Sequence, residues 1–274
     1  MGGFCQDFRQ TSNWRGAYSL NHAHPSARGL VFFWVPELEK FSVAPRELVR
    51  NREGAQAGTT KLVAAPGDFR TRKVGRSIIS NNSGYITWAS CNASMDEIAA
   101  NNPSRFSVMI IAKPNNPPPS NINYAISRYR SSNYQWGLGH GGADHWEFYV
   151  NGAGGEATVE ATTGFAASQV SVVFGVCDGA NARLYVNGIN VKSETFAVQL
   201  ESSSNAMGIF NRHNGGGNNY GGTLYGAAIW KRALSPVEIA RFSLRPFDVL
   251  RRTEPPVYRI PAVVASKSNW FVVF

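Results

Sequence analysis

The chain reads as an all-β protein: a two-sheet antiparallel sandwich with one short helix and extended N- and C-terminal arms. Three observations predict this. Glycine (27) and proline (14) are plentiful among 274 residues, and helical periodicity is rare. Short apolar or alternating runs recur every roughly 8 to 15 residues between turn-formers, which is the spacing of a sandwich. The stretch from Val172 to Phe242 reads as a hairpin, a Gly/Asn-rich loop, a strand and a capped helix.

The elements follow in order. Residues 1–27 read as an irregular arm, with Phe4, Phe8, Trp14 and Tyr18 at no regular period. Val31 to Val35 is the first apolar strand. Further strands are expected at Glu47 to Val49, Lys61 to Ala64, Ser77 to Ile79 and Tyr85 to Trp88. Phe106 to Ala112 follows, then a stiff loop from Pro114 to Pro119. Tyr124 to Tyr129, Tyr134 to Leu138, Trp146 to Val150 and Ala157 to Ala161 continue the pattern.

The hairpin pairs the apolar run from Val172 to Val176 with Arg183 to Val186 through Asp178-Gly179, within a sheet-forming stretch that begins at Val170, and Asn187-Gly188 marks the next turn. Leu224 to Trp230 is a strand of small and apolar residues. The helix after it has Ser235 as N-cap, Pro236 at its first position and Glu238 three residues beyond the cap. The expected organisation is an N-terminal arm (1–27), one sandwich domain (28–243) and a C-terminal tail (244–274). A 43% hydrophobic composition can supply its core.

The matching residues Asp178, Gly179, Leu184, Tyr185, Asn187 and Gly188, then Gly226, Ile229, Trp230, Ala233, Leu234, Ser235, Glu238 and Ile239, resemble the laminin-G-like, concanavalin A-like jelly-roll family. The entry carried by His24, Pro25, Ala27, Arg28, Gly29, Leu30 and Val31 is similar to members encoded in phage and prophage structural gene clusters. FSVMIIAKP and the segment Leu244 to Leu250 extend the likeness. The resemblance implies a jelly roll. Many members carry acids in the strand before the helix, where this chain has Gly226-Ala227-Ala228. A metal site built on those acids is therefore not expected.

Composition narrows the function. No apolar run reaches the about 18 residues of a membrane span, and MGGFCQDFRQ lacks the apolar core of a secretory signal. The sequons at Asn81 and Asn92 are then chance matches. Cys5, Cys91 and Cys177 are sparse and unpaired in spacing, as in reduced thiols of a protein made in a cytoplasm. The net charge of +9 is spread along the chain. Its small clusters, Arg70 to Arg76 and Arg251-Arg252, come with no nucleic-acid motif.

No catalytic residues, cofactor or metal ligands are expected. The E-x-D-x-x-E string of the superfamily's glucanases does not occur. Glu147, Glu156 and Glu160 are the nearest strand acids, and Glu156 and Glu160 could share a face, but they read as a solvated face and not as an acid/base pair. His140, Asp144 and His145 surround a Gly-rich turn that could hold a metal, and read as exposed turn residues. His22 and His24 lack a third ligand. In the loop Asn214 to Gly222, Asn218, Asn219 and Tyr220 could line a sugar site, since amides bond hydroxyls and phenols stack on sugar rings.

The tail ends in an apolar run, Trp270 to Phe274. Such an end either folds back on its own sandwich or docks on a neighbour. The expected function is therefore that of a phage virion structural protein made in the host cytoplasm and located in the virion. It would be a capsid decoration or cement protein, a homo-oligomer that binds other virion subunits, the major capsid protein or tail proteins. The aromatic anchors would be Phe4, Phe8, Trp14, Tyr18, Tyr258, Trp270 and Phe271. The alternative is a carbohydrate-binding adhesin module of a tail fibre or spike. Neither reading involves nucleic acid, a membrane or enzymatic turnover.

Overall fold

A computed structural model describes residues 18–21, 23–34, 60–63, 69–71, 78–80, 85–88, 92–114, 123–130, 133–141, 144–164, 169–201, 207–209 and 220–252. Seventeen strands run in chain order among the described residues. They are β1 (Tyr18–Leu20), β2 (Leu30–Trp34), β3 (Thr60–Val63), β4 (Phe69–Thr71), β5 (Ile78–Ser80), β6 (Tyr85–Trp88), β7 (Arg105–Pro114), β8 (Asn123–Arg130) and β9 (Asn133–His140). β10 (Trp146–Gly152), β11 (Gly155–Glu160), β12 (Ser171–Asp178), β13 (Asn181–Val186), β14 (Ile189–Thr195), β15 (Met207–Ile209), β16 (Gly222–Trp230) and β17 (Leu250–Arg252) follow. Two α-helices accompany them, α1 (Asn92–Ala100) and α2 (Pro236–Leu244), with a single 3-10 turn at Pro25–Ala27. The expected strand at Glu47 to Val49 lies outside the described residues.

Two antiparallel sheets form the sandwich. A seven-stranded sheet has the order β11-β10-β9-β8-β15-β6-β3. An eight-stranded sheet has the order β14-β13-β12-β7-β16-β5-β4, with β2 also paired to β16. The predicted hairpin is β12–β13, in register from Val173 opposite Val186 to Cys177 opposite Ala182. Asp178 Oδ1 accepts from the backbone N–H groups of Ala180 and Asn181, and Gly179 takes φ +91°, a left-handed conformation that glycine adopts without steric cost. At the next turn Asn187 and Gly188 have φ 52° and 86°, the pair of positive values that a tight two-residue hairpin requires.

The main core lies between the sheets. Phe106, Val108, Ile110 and Ala112 of β7 face Trp136, Leu138, Phe148 and Val150 of the opposite sheet. A second apolar cluster covers the other face of the eight-stranded sheet. Met109 and Ile111 of β7, Phe174 of β12 and Trp230 of β16 pack there under Ile239 and Phe242 of α2. A single layer of core between two sheets is what the sequence suggests. The structure adds a third layer because β7, β12 and β16 are apolar on both faces.

The helix expected from the cap residues is α2. Ser235 Oγ accepts from the Glu238 N–H, and Glu238 Oε2 accepts from the Ser235 N–H, closing the capping box. Glu238 also receives Arg232 through two nitrogens, at 2.9 and 2.6 Å. That hydrogen-bonded guanidinium holds its carboxyl at about 2. The further helix α1 falls where the sequence shows no helical period; it buries Ile98 and Ala99.

β1 pairs with β17, with Tyr18 opposite Arg252 and Leu20 opposite Leu250. Part of the segment read as an irregular arm is therefore a strand joined to the start of the tail. Phe4, Phe8, Trp14, Tyr258, Trp270 and Phe271 lie outside the described residues, and of Tyr18 only the backbone is described. Cys177 is a buried free thiol, while Cys5 and Cys91 lie outside the described residues.

Candidate functional site

The chemistry-bearing residues concentrate on the outward face of the seven-stranded sheet, at its β9–β10–β11 end. The hairpin β10–β11 sets the register. Its turn is Ala153-Gly154, with Gly154 at φ +120°, and Gly152 stands opposite Gly155. Counting back from that turn puts Tyr149 opposite Thr158 and Glu147 opposite Glu160. Trp146, Phe148 and Val150, with Ala157, Val159 and Ala161, point into the sandwich core. Strand alternation therefore sends Glu147, Tyr149, Glu156, Thr158 and Glu160 outward.

Next to them β9 carries glycine at alternate positions, Gly137 and Gly139, and Gly141 continues the alternation just past its end. A side-chain carbon on Gly137 would clash with the Tyr124 ring. One on Gly141 would lie 2.8 Å from Glu160 Oε1 and 3.0 Å from Glu147 Oε2. The bare backbone thus lets a ring and two carboxyl groups lie against the sheet. It also measures the carboxyl pair: the two oxygens are no further apart than those two lengths laid end to end.

The two acids sit in different surroundings. Glu160 is exposed. Glu147 is 3% exposed, and its Oε1 is buried without a hydrogen-bond partner. Burial, and then the charge of Glu160, push the Glu147 carboxyl from 4.5 up to about 7. Both effects disfavour the ionised form. Glu156, the acid that sequence pairs with Glu160, is instead engaged by the Tyr149 hydroxyl, which donates to its Oε2 at 2.7 Å. The converging partner of Glu160 is Glu147.

The other sequence candidates separate. His140 shares its strand face with Trp136 and Leu138 and is fully buried, its ring 5.3 Å from that of Tyr220. Burial pulls its pKa down to about 4, opposed by its bond to Gly141 O and by the charge of Asp144. It is a neutral core histidine, not an exposed turn residue. Among the described residues no three His, Cys, Asp or Glu side chains gather as a metal site. His24 Nδ1 accepts from the Ser26 N–H, a local turn contact. Tyr220 is 0% exposed, so its ring offers no open face on which a sugar could stack. This corrects its place in the candidate sugar loop; Asn218 and Asn219 lie outside the described residues.

Residues 80–240 match the sequence model of the Laminin_G_3 family, described as the concanavalin A-like lectin/glucanases superfamily. The chain belongs to this family. No curated protein matches it by sequence. Among solved structures, Trypanosoma rangeli sialidase in complex with 2,3-difluorosialic acid is similar at 14% identity and a TM-score of 0.57, covering 90% of this chain and 38% of that one. The receptor-binding domain of botulinum neurotoxin C/D mosaic serotype is similar at 15% identity and a TM-score of 0.56, covering 78% and 51%. A botulinum neurotoxin type C structure, titled for cell entry through two ganglioside molecules, is similar at 11% identity and a TM-score of 0.57, covering 78% and 50%. The chain thus spans about half or less of each of these structures, and at such identities the likeness is one of fold.

In this laminin-G-like chain the motif residues are scaffold. Trp230 Nε1 donates to Ser26 O at 2.8 Å, Arg232 Nε to Arg28 O at 2.8 Å and the Lys231 N–H to Gly29 O at 2.7 Å. The entry motif and the strand-to-helix motif are therefore one seam. Gly226, Ala227 and Ala228 are buried in β16, so acids there would lack solvent as well as a ligand role. These motif residues position the sheets, and Glu147 and Glu160 are not among them, although both lie within the matched residues 80–240.

Proposed function

We propose that the chain is a carbohydrate-binding module of a phage virion protein, an adhesin of tail fibre or spike, that holds a glycan without hydrolysing it. The observation that carries this reading is the convergence of Glu147 and Glu160 over the bare backbone of Gly141. Carboxyl oxygens accept hydrogen bonds from sugar hydroxyls, and Tyr149 adds a phenol beside them. The family fold alone is not evidence of function. Binding without turnover fits Glu147 better than acid catalysis does. A catalytic acid delivers its proton directly to a scissile oxygen, whereas Glu147 is 3% exposed and a ligand meets the pair from the side of the exposed Glu160.

The test is binding of the chain to immobilised neutral, amino and acidic oligosaccharides, with release of reducing ends followed in parallel. Saturable binding to at least one class is expected, competed by the soluble sugar, with no release. The paired substitution Tyr149→Ala and Glu160→Ala should weaken it about tenfold or more, the worth of one or two charge-assisted hydrogen bonds. Absence of binding to every class, or sustained sugar release, would overturn the reading.

A second reading rests on the β1–β17 pair. The chain enters at Tyr18 and leaves at Arg252 on adjacent strands. Residues 18 and 252 are thus neighbours, which suits a decoration or cement protein that grips virion subunits with the segments on either side of the domain. The net charge of +9 would complement an acidic capsid surface. In this reading a chain lacking residues 253–274 stays folded and fails to co-sediment with particles. Normal co-sedimentation of the truncated chain would remove the support.

A further inference from the structure

Two ionised carboxylates placed against each other on a sheet repel, and either a retained proton or a bound cation relieves them. Glu147 and Glu160 are such a pair, directly opposite on β10 and β11 and both aimed at the space left by Gly141. The ion pairs among the described residues are Arg128–Asp96, Arg183–Asp178, Lys192–Glu194, Lys231–Glu97, Arg232–Glu238 and Arg241–Asp248. None supplies either glutamate with a counter-charge. Glu147 is more than nine-tenths buried; its Oε2 lies at the Gly141 space, and the other oxygen of the same carboxyl, Oε1, has no partner. A buried carboxyl oxygen left unsatisfied costs more than one exposed to water. Glu160 is exposed, so the pair is reached from solvent on the β11 side.

We infer that this carboxyl pair is the subsite for a protonated amino group of an amino sugar. The inference rests on the carbohydrate reading and names its ligand class. An ammonium offers three donors and no acceptor, so it can satisfy an oxygen of each glutamate and neutralise their repulsion together. A neutral hydroxyl can bond them but leaves the repulsion in place. A sialic or uronic acid would bring a third negative charge and is rejected. The Gly141 backbone is the floor that keeps the two oxygens within reach of one nitrogen.

The whole-chain charge makes the test sharp. A net charge of +9 repels a polycation, so a preference for the aminated sugar must arise locally. The probes are a glucosamine tetramer, the N-acetylglucosamine tetramer of the same linkage, and sialyllactose, titrated into the full chain at neutral pH by calorimetry. The free-amine tetramer should bind about tenfold or more tightly than the acetylated one, as expected for a charge-assisted contact. Sialyllactose should not compete.

Glu147→Gln and Glu160→Gln should each abolish that preference while circular dichroism stays unchanged. Gly141→Ala should do the same by putting a methyl group between the carboxyls. Equal binding of the two tetramers, or a preference that survives both glutamine variants, overturns the inference and leaves the carbohydrate reading standing. Absence of binding by any of the probes removes the amino-sugar site. The broader panel of neutral and acidic sugars then decides whether carbohydrate binding falls with it.

Discussion

Trp230→Ala is expected to lower the free energy of unfolding by about 3–5 kcal/mol, the range for truncating a buried large aromatic. Trp230 is 0% exposed at the end of β16. Its ring meets Phe242 of α2 edge-on at 5.2 Å and Phe174 of β12 at 6.3 Å. Its indole N–H donates to Ser26 O. Alanine would leave a cavity between sheet and helix and strip a carbonyl of its partner, and the two costs add. A domain of ordinary stability, about 5–15 kcal/mol, would lose a large part of it. The check is urea unfolding. The midpoint should fall with the slope unchanged, and Trp230→Phe should recover the packing but not the hydrogen bond. A loss below about 1 kcal/mol would mean that α2 and the Ser26 turn lie outside the cooperative unit, since buried aromatic truncations within one cost more.

The same residue shows how the fold can be read from sequence and where that reading stops. Trp230 belongs to the run Ile229 to Glu238, whose cap residues announce a helix through local chemistry, and α2 begins where they place it. The turns at Asp178-Gly179 and Asn187-Gly188 are legible for the same reason, because side-chain oxygens and glycine conformations act over two or three residues. The second apolar layer is not legible. An apolar run such as Val108 to Ala112 looks the same whether one or both of its faces are covered. α1 escapes because only Ile98 and Ala99 among its described side chains are buried, too few to set a period. Met207–Ile209 is too short to alternate. For the candidate site the acids are visible in the sequence but their pairing is not. Glu156 and Glu160 share a face by simple alternation, whereas Glu147 meets Glu160 only once the turn at Ala153-Gly154 fixes the register. That turn was the available signal. Tyr220 is the reverse case, a residue in a polar loop whose ring is fully buried.

The buried glutamate gives a second large effect, one that depends on pH. Glu147 has its folded pKa raised from 4.5 to about 7. Between those values the folded protein holds a proton that the unfolded chain has released, so stability falls as pH rises through the window and the loss is complete above it. A displacement of that size corresponds to about 3 kcal/mol. His140 acts in the opposite sense at lower pH. Its folded pKa is lowered from 6.5 to about 4, so its contribution is present above the unfolded value and is lost as pH falls toward the folded one. The two windows overlap, and the native chain alone would show a blunted profile. The informative quantity is therefore the difference in unfolding free energy between the native chain and Glu147→Gln, measured by urea unfolding from pH 4 to 8. Glutamine keeps the shape and carries no charge at any pH, so His140 cancels in the difference. The variant should gain about 3 kcal/mol on the native chain between pH 4 and 8, most of it between the two pKa values of Glu147. Glu160→Gln should reduce that gain only in part, because burial outweighs the charge of Glu160 in raising the pKa. A difference that stays flat with pH would mean that Glu147 ionises as readily in the folded chain as in the unfolded one. The space over Gly141 would then need no cation to settle the pair.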